Sequence, residues 1–153
     1  MSLLDLGCGR GLVLLEAAKL LTRGRVVGLD NWSQFDLYPN SSMQTLDNAR
    51  WEGVEKRVKV DSGDMRDLPY PPNAFDRLTA HLSLHQLGSR SDRLKTLEEI
   101  KRVLKPKGLL AIADFQYIHQ LTQDLRILGF KNIQVSGYQF FYFPPVKLIL
   151  AQK

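Results

Sequence analysis

The chain is short of the features that would put it in several large classes. It has a single cysteine, Cys8, so it can form no intramolecular disulfide and no cysteine-rich metal site. No apolar run approaches the ~20 residues that a membrane-crossing helix needs. Asp5 interrupts the apolar start and no small-residue cleavage site follows, so no secretory leader is read and the cytoplasm is the expected compartment. Internal repeats, low-complexity stretches and linkers are missing as well. Residues 1–153 are therefore expected to be one domain. Acidic residues are the minority charge, with 16 Asp+Glu against 21 Lys+Arg, a formal charge of +5 and a pI near 9.4. A nucleic-acid partner would need those cations clustered. They are spread instead, at Arg23, Lys56, Lys59, Lys95 and Lys107 among others, so a solvated basic face is preferred and nucleic acid is not favoured.

What remains is a globular composition, 44% hydrophobic and 24% charged. Short apolar runs alternate with helical periods, the pattern of a mostly parallel sheet with crossover helices. Leu3 to Leu6 reads as a first strand, followed by a helix that lines up Leu14, Ala17, Ala18 and Leu21. Gly24 is placed to end that helix in the left-handed conformation. Arg25 to Asp30 is the second strand. Ser41 and Gln44 have capping-box spacing for a helix running to Gly53. Strands follow at Val58 to Val60, Phe75 to Ala80 and Leu109 to Ala113. Ser91 is expected to start a helix that Pro106 stops. A helix through Ile118, Leu121, Leu125 and Leu128 precedes two last runs, Asn132 to Val135 and Val146 to Ala151, which should pair antiparallel. The aromatic group Tyr138, Phe140, Phe141, Tyr142 and Phe143 is read as strand core. The fold class is α/β: a Rossmann-like, doubly wound, mostly parallel seven-stranded sheet with an antiparallel last strand and helices on both faces.

Three places carry candidate chemistry. Asp5-Leu6-Gly7-Cys8-Gly9-Arg10-Gly11 joins the first strand to its helix, and alternate glycines let backbone approach a ligand at the carboxyl end of the strand. Asp30 ends the second strand, where a carboxylate can accept hydrogen bonds from both hydroxyls of a ribose. Asp64-Met65 follows the third strand, where a carboxylate can accept from an adenine amino group. Either aspartate alone would read as a turn former or cap. In order after successive strands they are read together.

These segments resemble the class I S-adenosylmethionine-dependent methyltransferase family, of the methyltransferase type 11 kind. Leu4 to Gly11 is similar to its first motif, Gly63-Asp64-Met65 to its adenine-side segment, Phe75-Asp76 through Leu84-His85 to its fourth-strand motif, and Glu98 to Gly108 to its helix into the fifth strand. Gly28-Leu29-Asp30-Asn31-Trp32 and Phe143-Pro144-Pro145-Val146 are further similar to a bacterial subgroup of small-molecule type. The resemblance implies S-adenosyl-L-methionine as cofactor. Asp5, Gly7, Cys8, Gly9 and Gly11 would face its amino-acid end and Asp30 its ribose, while Asn31 or Trp32 would flank its adenine, with Asp64 at the amino group and the Met65 backbone at a ring nitrogen. His81, at the end of the fourth strand, would lie near the methyl group and the acceptor, as a base where the acceptor must lose a proton. His85 is the weaker candidate and is read first as a polar residue packing the strand-to-helix turn. No metal is expected, because a catechol-type magnesium site would need carboxylates where this chain has His81 to His85.

The implied activity is methyl transfer to a small-molecule or lipid-like acceptor, with the stretch from Asn31 to Asn40 near the substrate. An RNA or protein methyltransferase, or a non-catalytic cofactor-binding module, are the alternatives. Tyr70-Pro71-Pro72-Asn73 does not match the Pro-Pro-aromatic motif of amino-methylating nucleic-acid enzymes in place or order. A nicotinamide dehydrogenase is poorly served by Gly7-x-Gly9-x-Gly11. Family members carry helices before the first strand, whereas only Met1-Ser2 precede Leu3 here. A short form or fragment of this kind would expose sheet surface and lean on a partner or, as a homodimer, on itself.

Overall fold

The structure is a computed structural model and describes residues 1–34, 40–140 and 143–153. In chain order its main elements are β1 (Ser2–Leu6), α1 (Leu12–Leu20), β2 (Arg25–Asp30), α2 (Ser42–Trp51), β3 (Val58–Ser62), β4 (Phe75–His81), α3 (Arg90–Val103), β5 (Leu104–Asp114), α4 (Ile118–Ile127), β6 (Lys131–Val135) and β7 (Lys147–Gln152). The strands form one seven-stranded sheet in the order β3-β2-β1-β4-β5-β7-β6. All pairings are parallel except those of β7, which runs antiparallel to both β5 and β6. The expected fold class is the observed one.

Strand periodicity divides the core in two. Leu3 and Leu4 are consecutive on β1, so their side chains point to opposite faces. Leu3 joins Leu14, Leu15, Ala18, Val26 and Ala49 in a cluster under α1 and α2. Leu4 joins Leu78, Leu97, Ile100, Leu121 and Ile149 in a larger cluster under α3 and α4. Fully buried leucines of this kind each contribute about 1.5–3 kcal/mol through removal from water. On the first of these faces the sheet is less well covered at β5 and β7, where Leu109 and Leu150 stay exposed.

Four local expectations are corrected. Gly24 does not end α1, which closes at Leu20 with Leu21 extended. Gly24 has φ +126°, and a Cβ there would fall 1.9 Å from the Met1 carbonyl oxygen, so glycine is required by a close backbone approach. Helix α3 starts at Arg90 rather than Ser91, because Ser89 is its cap and accepts from the Asp92 N–H at 3.0 Å. Pro106 does not stop α3. The chain is already extended at Leu104, and Pro106 lies in the irregular first part of β5, near the register shift against Phe75 and Arg77. The described members of the aromatic group are not strand core: Tyr138, Phe140 and Phe143 are 58%, 79% and 98% exposed. Among the described residues that segment makes the bridge Gln139 to Val146, beyond the ends of β6 and β7, and α4 packs into the core. Phe141 and Tyr142 lie outside the described residues. Ser41 does cap α2, accepting from the Gln44 N–H at 3.4 Å. The reciprocal half of the capping box is not made, since the Gln44 carboxamide oxygen is buried without a partner.

Candidate active site

Parallel pairing brings strand ends together. Leu6 is level with Leu29 and Ala80, Asp30 with Ser62, and His81 with Ala113. The chain after β1 turns one way to β2 and the sheet continues the other way to β4, so the carboxyl ends open a crevice at the point where strand order reverses. A cleft of about 760 Å³ occupies it.

One wall is mainly backbone. The N–H groups of Gly7 and Cys8 both donate to the Leu29 carbonyl, at 2.8 and 3.2 Å, and fold the loop over the end of β2. Gly7 has φ +68°, and a Cβ on it would meet the Ser83 Cβ at 2.4 Å, so the loop and the turn after β4 touch only because this residue is glycine. Helix α2 braces the loop from outside. The Thr45 hydroxyl donates to the Gly9 carbonyl at 2.6 Å and the Asn48 amide to the Arg10 carbonyl at 3.0 Å. The Asp30 carboxylate lies across the loop's mouth, accepting from the N–H groups of Gly9 at 2.8 Å and Trp32 at 2.7 Å. Asn40 adds a longer contact to the same carboxylate at 3.4 Å.

Asp5 is buried beneath the cleft and is not on its wall. It accepts from the Thr79 hydroxyl at 2.6 Å and from the Leu14 N–H in the first turn of α1, a helix whose own cap residue, Gly11, supplies no side chain. Burial pushes its carboxyl up to about 7, and the nearby Asp30 charge adds to the rise. Burial also pushes the Cys8 thiol up, which keeps it protonated and unsuited to nucleophilic attack. Gly11 and Trp32 likewise stand off the wall: a Cβ on Gly11 would meet the side chains of Leu15 and Thr45, and the Trp32 ring N–H donates to the Ser62 hydroxyl at 2.8 Å.

The cleft continues past Gly63, Asp64 and Met65. Two residues of α3 fix this connection: Glu99 accepts from the Leu68 N–H at 2.8 Å, and Arg102 donates to the carbonyls of Leu68 and Tyr70. Asp64 is paired with the Arg66 guanidinium at 2.6 Å, which holds its carboxyl below the usual range.

The facing wall carries His81, Ser83, His85, Leu87 and Phe115. Burial pushes the His81 imidazole below its usual value, against the opposing pull of Asp114, so it is neutral near pH 7. His85 stands in the turn after β4. Its Nδ1 lies 2.9 Å from Oδ1 of Asp114, whose carboxylate also accepts from the His85 N–H at 3.1 Å and the Phe115 N–H at 2.8 Å. The Phe115 ring is centred 4.6 Å from the imidazole.

The structure thus gathers Gly7, Cys8, Gly9, Asp30, Asn31, Asp64, Met65, His81 and His85 on one cleft, and leaves Asp5, Gly11 and Trp32 behind it. Sequence reasoning did not single out Asp114, Ser83 or Phe115, which also line or support the cleft. Asp114 carried a usable signal, since it closes a buried strand as Asp30 does. Of the Asn31 to Asn40 stretch, residues 35–39 lie outside the described residues. Among the described residues no group of three or more His, Cys, Asp or Glu could hold a metal ion, and no helix is long and apolar enough to cross a membrane.

A methyltransferase-domain family model matches residues 4–112, and the chain belongs to that S-adenosylmethionine-dependent methyltransferase family. It is 38% identical over 114 residues to a glycine/sarcosine/dimethylglycine N-methyltransferase of Actinopolyspora halophila, covering 73% of this chain and 18% of that protein. It is 34% identical over 131 residues to a demethylmenaquinone methyltransferase of Lactobacillus johnsonii, covering 84% of this chain and 48% of that protein. This chain therefore spans about half or less of the length of these relatives. Among solved structures it is similar to a SAM-dependent methyltransferase from Aquifex aeolicus, with a TM-score of 0.76 and 24% identity over 99% of this chain and 81% of that one. At that identity the likeness speaks for the fold alone.

The cleft fits the family's cofactor. Its size is in the range of small-molecule sites, backbone is exposed at the Gly7-Gly9 turn, and a carboxylate stands at each of the second and third strand ends. Two buried polar atoms of residues at its edge, Asn40 Oδ1 and Ser83 Oγ, have no partner in the protein.

Proposed function

We propose that this chain is the cofactor-binding and methyl-transferring domain of a small-molecule methyltransferase. The observation that carries the reading is the union, in one cleft, of the glycine loop, Asp30 and Asp64-Met65 with an opposite wall of His81, His85 and Phe115. On this reading Asp30 accepts the ribose hydroxyls, with its carboxylate already aimed by the Gly9 and Trp32 N–H groups. Gly7 and Gly9 let the amino-acid end of the cofactor lie against backbone, and Met65 and Asp64 flank its adenine. Asp5 acts from beneath, by fixing the start of α1 under the loop. S-adenosylmethionine supplies an activated methyl group. The protein's share is to position the acceptor in line with it and to keep water out.

The two relatives named above point to small acceptors, glycine derivatives for one and a quinone for the other, and support a small or lipid-like acceptor here. Calorimetry with S-adenosylmethionine and S-adenosylhomocysteine tests the cofactor half. Binding in the micromolar range, about −8 kcal/mol, that Asp30→Ala weakens tenfold or more is the expected result. A folded chain that binds neither compound would refute the reading.

A further inference from the structure

We infer that His85, held by Asp114, accepts a proton from the methyl acceptor, and that the acceptor accordingly carries an acidic hydroxyl, a phenol or enol, rather than an amine. The inference rests on the cleft being the methyl-transfer site. Asp114 ends β5 almost wholly buried, and its carboxylate can only accept hydrogen bonds. Two of those come from the N–H groups of His85 and Phe115, so the carboxylate cannot turn away from the ring. With Nδ1 2.9 Å from Oδ1, that nitrogen must carry the ring's hydrogen. With one ring hydrogen, placed there, the lone pair is on Nε2. A carboxylate behind a histidine fixes its tautomer in this way and stabilises the imidazolium once a proton arrives.

The surroundings choose between acceptor types. Leu82, Leu87 and Phe115 line the same wall and offer a planar apolar molecule surface to lie against. The Asp114 carboxylate is behind the ring and already accepts three hydrogen bonds, so it gives an incoming ammonium no counter-charge. A hydroxyl instead finds a lone pair. In the reaction the acceptor oxygen forms its bond to the methyl carbon as the carbon–sulfur bond breaks. The O–H electron pair stays on oxygen, the proton passes to Nε2, and the sulfur departs as a neutral thioether. Nothing is oxidised or reduced.

The test uses 4-nitrophenol, whose absorbance separates phenol from phenolate, added to the S-adenosylhomocysteine-loaded chain at a pH where the free compound is mostly phenol. Saturable binding with growth of the phenolate band is expected. His85→Gln should abolish the band and change S-adenosylhomocysteine affinity less than about twofold. Asp114→Asn, a change at the positioning residue, should lose the band too, because a carboxamide can donate to Nδ1 and move the hydrogen to Nε2. Sarcosine should not displace the phenol. An unchanged band in His85→Gln, no phenol binding by a loaded chain, or displacement by sarcosine would overturn the inference. Failure to bind S-adenosylhomocysteine at all would instead overturn the cofactor reading beneath it.

Discussion

The two walls of the cleft are built on different principles. The wall of the glycine loop is local: residues from Asp5 to Gly11 form a turn whose contacts run mainly to the next strand, and its working groups are backbone N–H groups, a bare Cα and one carboxylate. The opposite wall is assembled at long range. His85 follows β4 and Asp114 ends β5, and they meet because β4 and β5 pair in parallel with His81 level with Ala113. Backbone geometry leaves the first wall little tolerance. The second wall depends on side-chain chemistry.

That contrast predicts where substitution hurts most. Gly7→Ala should be the most damaging change, because the new Cβ falls 2.4 Å from the Ser83 Cβ and φ is +68°. S-adenosylmethionine affinity measured by calorimetry should drop by roughly a hundredfold or more, with a lower melting temperature as well. Asp30→Ala keeps the turn and removes one recognition group, so its loss should be smaller, about tenfold or somewhat above. A Gly7→Ala chain that bound more tightly than Asp30→Ala would break the view that backbone shape dominates this wall.

Asp5 sharpens the comparison from below. Its folded pKa of about 7 lies above the ordinary 3.8, so between those values the folded chain holds a proton that the unfolded chain has released. Folding stability from this group is therefore full at the acid end of that window, falls as pH rises through it, and stays low beyond it. Asp5→Asn carries no such proton. From about pH 5 to about pH 8 the urea midpoint of the wild type should fall relative to that of the variant, a difference in which the opposite contribution of His81, common to both chains, cancels. At the higher pH the variant should be the more stable chain, by on the order of 2 kcal/mol. Acid loss from Asp76, which Lys105 and Ser2 hold down to about 2, falls below this window and does not obscure it.

The smallest effect is expected away from both walls. Phe143 is 98% exposed, so Phe143→Ser should leave the melting temperature within about 2 °C and cofactor affinity unchanged. A large loss of stability would mean that the aromatic segment is covered by something in solution.

Much of the first wall was legible in the sequence. Strand-glycine-helix order, alternate glycines and an aspartate closing the second strand are short-range patterns, and each carries its own geometric meaning. The family motifs extended that reading to Asp64, Met65 and His81. What misled the reading was also local. Gly24 looks like a helix cap and Pro106 like a helix stop until the neighbouring chain is known. Alternating aromatics look like a strand until the sheet edge shows no core left for them to fill.

By itself, then, the sequence determined the class of fold and the position of the glycine loop, because hydrophobic period and turn residues act within a few positions of one another, and its family motifs pointed to the cofactor. Only the tertiary structure decided that Asp5 lies under the cleft rather than in it. The same holds for Ser83 and Gly7 sharing one contact, and for the buried Asp114 carboxylate meeting the His85 ring. Those outcomes depend on strand order and register. Pairing β4 with β5 brings together residues 29 positions apart, and no property of either segment alone specifies that meeting.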